Sequence, residues 1–217
     1  NNSKMRGAVL ISGSGSNMQA LIDSCRTAES PAEIVLVISN HPSAAGLSIA
    51  SNSGIEVAIV DHKNFADRTA FESELGRTLK SASIELVCLA GFMRLLSPDF
   101  VNNWRNRLVN IHPSLLPAFK GLNTHKRVIE TGVRVTGCTV HFVRPEMDDG
   151  PIIVQAAVPV RPDDTERKLA ERVLKVEHHC YPIAVRWIAE GRVRVIDERA
   201  IIDNSNTTKT WLINPEM

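Results

Sequence analysis

Residues 7–22 read GAVLISGSGSNMQALI. An apolar run, residues 7–12, breaks on a loop of two glycines and two serines. Residues 18–26 then carry Met18, Leu21, Ile22 and Cys25 at helical spacing. Strand, glycine turn and helix form the opening unit of a parallel α/β sheet. Gly13 and Gly15 let backbone N–H groups approach a ligand, and the helix N-terminus behind them favours an anion. Ser16 and Asn17 add side-chain donors, so Gly13, Ser14, Gly15, Ser16 and Asn17 read as a phosphate cradle. A dinucleotide fingerprint needs a third glycine where Met18 stands and an acidic residue at the end of the next strand, which closes on Ser39 and Asn40. No Gly-Lys-Ser/Thr follows, so a P-loop is excluded. A monophosphate is favoured over NAD; the alternative is a tight turn that binds nothing.

Outward from this unit the alternation continues. Residues 33–40 read as a strand, 44–53 as a helix, 55–60 as a strand, 67–81 as a helix and 84–91 as a buried central strand. Residues 107–112 form another strand, and 125–132 a helix with Gly132 as its C-cap. Residues 135–143 and 151–160 read as two long strands joined by the loop RPEMDDG. A capping pattern at Asp164 and Thr165 opens a long amphipathic helix, expected to be interrupted at Pro182. Residues 198–213 suggest a terminal hairpin turning at residues 203–206. The expected fold is α/β: a Rossmann-like, mostly parallel twisted sheet with helices on both faces and a C-terminal hairpin. No repeat, low-complexity segment or linker divides it, so residues 1–217 are read as one domain.

Composition narrows the function. The chain has 217 residues, 43% hydrophobic and 23% charged, with a net charge of +1. That charge argues against a dedicated nucleic-acid binder. No stretch approaches a membrane span, and the polar start shows no apolar leader core. Residues 1–4, ahead of Met5, read as an added stretch or a displaced start. Cys25, Cys88, Cys138 and Cys180 are widely spaced without a CxxC pair, which suits buried reduced thiols and a cytoplasmic setting.

The stretch NIHPSLLP, residues 110–117, makes poor core but a good rim for a reaction site. Asn110 and His112 are two apart on a strand, hence on one face. Pro113 holds His112 in extended backbone, where the strand ends and loops gather. His141 lies in a later strand, and Asp148 in the loop before Gly150. A carboxylate near an imidazole favours its charged form and fixes its orientation. An amide, an imidazole and a carboxylate together can hold a carbonyl oxyanion and move a proton. Against this stand plain structural roles: a satisfied strand histidine, or Asp148 and Asp149 as a turn pair. A zinc site of His112, His141, His178 and Asp148 matches no standard spacing, and no metal is expected. No GxSxG elbow supports a serine hydrolase.

The segments ISGSGSNMQALI, VCLAGFMRLLSP, NIHPSLLPAFKGLNTH, GCTVHFV and MDDGPII, in this order, resemble the glycinamide ribonucleotide formyltransferases. The likeness runs from about residue 8 to residue 195. It implies transfer of a formyl group from 10-formyltetrahydrofolate, a co-substrate, to the amino group of glycinamide ribonucleotide in purine synthesis. The family's catalytic residues fall on Asn110, His112 and Asp148. Its phosphate loop falls on Gly13, Ser14, Gly15, Ser16 and Asn17, and its ribose contact on Glu177. The folate pocket falls on Met93, Arg94, Leu95, Leu96, Val143 and Met147, with Arg68 facing the glutamate tail. The resemblance implies that Asp148 keeps His112 oriented and charged, with His141 in support. Asn123 stands where some relatives carry histidine, and Asp149 competes with Asp148 for the carboxylate role.

Three rivals share features. A methionyl-tRNA formyltransferase is expected to add a C-terminal RNA-binding domain. A formyltetrahydrofolate hydrolase is expected to add an N-terminal regulatory domain and to need no phosphate loop. A non-catalytic nucleotide-binding module keeps the loop without the Asn-His-Asp set. The expected partners are glycinamide ribonucleotide and folate, not nucleic acid or membrane, with monomer and homodimer both open.

Overall fold

The computed structural model describes residues 3–216. Asn1 and Asn2, the head of the stretch read as an addition, lie outside them. The elements follow in the order β1 Met5–Ile11, α1 Ser16–Cys25, β2 Ala32–Ser39, α2 Ala45–Asn52, β3 Glu56–Ile59, a 3-10 turn His62–Asn64, α3 Arg68–Ser81, β4 Leu86–Leu89, α4 Pro98–Asn103, β5 Leu108–His112, α5 Thr124–Thr131, β6 Val135–Phe142, β7 Ile152–Pro159, α6 Glu166–Ala189, β8 Val193–Ile196 and β9 Arg199–Ile202. The main sheet orders its strands β3-β2-β1-β4-β5-β6-β7. The pairs β1–β2, β1–β4, β2–β3 and β4–β5 are parallel, and β6–β7 is antiparallel. The order doubles back at β1, as in a doubly wound sheet.

The chain divides into two compact units. The first holds residues 1–110 and 142–145. Residues 8–11 of β1 are wholly buried, as expected for a strand covered on both faces. Leu10, Leu36 and Ile38 from the strands pack with Phe71, Leu75, Leu79 and Phe100 from the helices and with Trp104, which follows α4. Burying each such side chain stabilises the fold by about 1.5–3 kcal/mol before entropy is charged. Helix α4 was not expected from the sequence, although its start signal is plain. Ser97 caps it through the Phe100 N–H, Pro98 fills its first turn, and Asp99 faces the helix dipole. Buried Glu72 accepts from the Ser97 backbone N–H and hydroxyl, which ties α3 to this cap.

The second unit holds residues 111–141 and 146–217. At Gly137 a Cβ would lie 1.8 Å from the Ala156 carbonyl oxygen, so only glycine fits where β6 passes β7. Gly132 closes α5 at φ 76°, as expected of a C-cap. Helix α6 runs unbroken over 24 residues through Pro182, where an interruption was expected. Buried Cys180, Tyr181, Ala184 and Val185 straddle the proline. Their packing on one apolar face outweighs the hydrogen bond that proline forfeits. The terminal hairpin is present, but it turns at Asp197 and Glu198, both with positive φ, rather than at residues 203–206. Two residues in left-handed backbone match the twist of paired strands better than the longer polar loop does. Among the described residues no helix is long and apolar enough to cross a membrane.

Candidate active site

His112 ends β5, two residues after Asn110 and 6% exposed. Its Nε2 lies 2.8 Å from the Phe119 carbonyl oxygen. A carbonyl only accepts, so Nε2 carries the proton and donates. The other ring nitrogen, Nδ1, faces Asp148 Oδ1 at 3.5 Å. That is long for a hydrogen bond and short for an ion pair. The second carboxylate oxygen of Asp148 accepts from the Gly121 backbone N–H at 2.6 Å. Asp148 itself has a φ of 49°, a left-handed conformation that aspartate tolerates better than most residues. The structure thus brings Asp148, not Asp149, to the imidazole. Asp149 is exposed and pairs loosely with Lys120 at 3.8 Å.

A buried polar network fixes the loop after His112. Thr139 Oγ1 donates to the Ser114 carbonyl and accepts from the Leu116 N–H and the Gln155 side-chain amide. Gln155 also donates to the Leu116 carbonyl. The threonine hydroxyl therefore uses its one donor and both lone pairs. Sequence reading missed Thr139 and Gln155, because in a strand they look like ordinary polar alternation. Phe119, whose carbonyl meets His112, is held at φ 54° in the left-handed region. For an aromatic residue that is stored strain.

His125, also missed, sits in the first turn of α5. Burial pushes its imidazole below the ordinary histidine value, Glu166 opposes the shift, and neighbouring His112 adds to it. Its Nδ1 is buried without a hydrogen-bond partner among the described residues. His141 is buried at the irregularity between Val140 and His141 in β6. Glu177 is buried on α6.

In the first unit the glycine loop lines a pocket of about 320 Å³ together with Ser12, His41, Ala90, Gly91 and Met93. Gly15 has a φ of 68° and serves as the N-cap of α1 without a side-chain cap. Helices α3, α4 and α6, by contrast, each begin on a side-chain oxygen. No acidic residue occupies the first turn of α1, so its dipole end is left for another anion. A Cβ at Gly13 would meet nothing within 4 Å, so a side chain there would only fill open space beside the loop. Gly46, unnoticed in the sequence, supports the loop from behind. Its N–H donates to the Gly13 carbonyl, and a Cβ on it would lie 2.4 Å from Ile11 and 3.1 Å from that carbonyl oxygen.

The residues expected around folate are divided between the two units. Met93 and Leu95 are 63% and 68% exposed, large apolar groups left to water in a way that suits a flat aromatic ligand. Met93 also lines the glycine-loop pocket, and its N–H donates to Ser12 Oγ. Arg94 is exposed, while Leu96 and Val143 pack against the first unit's core. Met147, in the second unit, is 55% exposed beside Gly121. Arg68 lines a different cavity, of about 1070 Å³, between α3 and α4. Among the described residues no group of three or more His, Cys, Asp or Glu is placed to hold a metal ion.

Residues 5–185 match the family model described as formyl transferase. The chain is 54% identical over 192 residues to the chicken (Gallus gallus) trifunctional purine biosynthetic protein adenosine-3, covering 88% of this chain but 19% of that protein. The chain thus spans about a fifth of the length of such trifunctional relatives. It is 41% identical to the phosphoribosylglycinamide formyltransferase of Haemophilus influenzae, over 95% of this chain and 98% of that one. The crystal structure of glycinamide ribonucleotide transformylase 1 from Symbiobacterium toebii superposes with a TM-score of 0.89 at 46% identity, covering 92% of this chain and 94% of the other.

Proposed function

Because the chain belongs to the phosphoribosylglycinamide formyltransferases, we propose that it moves the formyl group of 10-formyltetrahydrofolate onto the amino group of glycinamide ribonucleotide, a step of purine biosynthesis. The observation that carries this reading is the His112–Asp148 pair, 3.5 Å apart and braced by the Gly121 N–H. A binding module has no use for a carboxylate pinned against a histidine at a strand end.

The chemistry asks for three services. The substrate amine forms a bond to the formyl carbon, the bond from that carbon to the folate nitrogen breaks, and a proton passes from the amine to that nitrogen. Asn110 and His112 hold the formyl oxygen as it takes on negative charge. The Phe119 carbonyl supports this reading, because it accepts from His112 Nε2 as a formyl oxygen would. Asp148 orients His112 and relays the proton through water, with His141 in support.

Binding divides by element. Gly13, Ser14, Gly15, Ser16 and Asn17 hold the substrate phosphate, a role supported by the uncapped start of α1. Glu177 takes the ribose. Met93, Arg94, Leu95, Leu96, Val143 and Met147 receive the folate, supported by the exposure of Met93 and Leu95. Arg68 faces the glutamate tail. Residues 1–217 act as one formyltransferase domain, and the four free cysteines favour a cytoplasmic setting. The test is product identification by mass spectrometry. Formylated glycinamide ribonucleotide is the expected product; formate alone would mean a hydrolase and overturn the reading.

A further inference from the structure

Among the described residues, His41 is the one lining the glycine-loop pocket whose side chain can take a positive charge; its companions there are glycine, serine, asparagine, alanine and methionine. We propose that His41 is a phosphate-binding residue, which adds a charge-assisted hydrogen bond to the backbone donors of the loop and selects a phosphomonoester. The inference rests on the phosphate reading of that loop.

The geometry supports a built position rather than a stray surface histidine. The His41 backbone is pinned at both ends to wholly buried Ser39. Ser39 Oγ donates to the His41 carbonyl at 2.8 Å, and the His41 N–H donates to Ser39 Oγ at 3.0 Å. The same carbonyl accepts from the Ala44 N–H. His41 therefore starts from a fixed point where β2 leaves the sheet.

Its ring is braced as well. The His62 ring stands perpendicular to it, with centroids 5.4 Å apart. His62 is in turn held through Nδ1, which lies 3.3 Å from both the side-chain amide and the carbonyl of Asn40. Asn40 returns to the glycine loop, since its Oδ1 accepts from Ser12 Oγ. Ser12, Asn40, His62 and His41 thus form one chain of contacts beginning and ending at the same pocket. Backbone N–H groups supply direction to an anion but no full charge. A dianionic phosphomonoester bound by such donors alone lacks a counter-ion, and an imidazolium supplies one.

The test is a steady-state comparison of the full chain with His41→Ala, His41→Gln and His41→Lys. The KM for glycinamide ribonucleotide is expected to rise roughly 10- to 100-fold in the alanine and glutamine variants, the range of a lost charge-assisted hydrogen bond. The kcat and the KM for the formyl donor are expected to stay close to the parent's. His41→Lys keeps a charge and is expected to recover most of the affinity. An unchanged KM in both neutral variants overturns the inference, and so does a loss confined to kcat. A second arm titrates inorganic phosphate by calorimetry against the parent and His41→Gln, without turnover. Weakened phosphate binding in the variant upholds the role of His41 even if the parent fails to formylate glycinamide ribonucleotide, which would overturn the proposed function alone. Equal phosphate binding in the two proteins, or none in the parent, overturns the inference itself.

Discussion

At the residue scale the site turns on which carboxylate serves His112. Asp148→Asn removes the charge but keeps the shape, and kcat is expected to fall roughly 100-fold or more, the usual reach of acid–base catalysis. Asp149→Asn, on an exposed neighbour, is expected to leave kcat nearly unchanged; steady-state turnover of both variants checks the pair. Asn110→Ala and His112→Ala are expected to lower kcat by a comparable factor while melting close to the parent. A second residue-scale prediction concerns Thr139→Val, which keeps the volume but deletes the hydroxyl. It leaves the Leu116 N–H and the Ser114 carbonyl without the partner each now has, and is expected to lower unfolding free energy by roughly 2–3 kcal/mol in urea titration. Asn110 and His112 draw notice in the sequence because they interrupt an apolar strand, and Asp148 because it sits in the loop after β6; the structure brings His112 and Asp148 within 3.5 Å. Thr139 and Gln155 were not legible in the sequence, since their partners are backbone groups brought close only by the fold.

At the element scale the glycine loop is held by its neighbours as much as by its own glycines. Gly46→Ala pushes α2 into Ile11 and the Gly13 carbonyl. It is expected to destabilise the fold by about 1–3 kcal/mol and to raise the KM for glycinamide ribonucleotide, measured by thermal melting and kinetics together. Gly137→Ala is expected to be worse, because the clash is with backbone and cannot be relieved by a rotamer. Apart from α4, the strand and helix series was readable from periodicity, and the C-cap at Gly132 from its residue type. Two local rules misled. Pro182 suggested a break, yet tertiary packing carries α6 across it. The polar run after Asp203 suggested a turn, yet Asp197 and Glu198 make it in left-handed backbone. Gly46 carried no signal, because its need arises only when α2 lies on the loop.

At the scale of the whole molecule, the ion pair of Arg172 with Asp164 contributes to acid stability. Arg172 forks onto Asp164 at 2.7 and 2.8 Å, and the Asp164 side chain is 1% exposed. Hydrogen bonding from Arg172 is the main cause that holds the Asp164 carboxyl below its ordinary value, against the cost of burial. A depressed carboxylate stabilises the fold above its unfolded pKa and loses that contribution as pH falls through the folded one. The Tm is therefore expected to drop as pH falls below about 4, near the unfolded carboxylate value. Asp164→Asn is expected to be less stable at neutral pH and to show a shallower acid decline.

This chain is proposed to transfer a formyl group to a ribonucleotide rather than to water. The most direct measurement is the absorbance change of 10-formyltetrahydrofolate with and without glycinamide ribonucleotide, on the parent and on Asp148→Asn. Turnover that requires the ribonucleotide and collapses in the variant is the predicted result. Equal turnover without the ribonucleotide, or full turnover in Asp148→Asn, would contradict it.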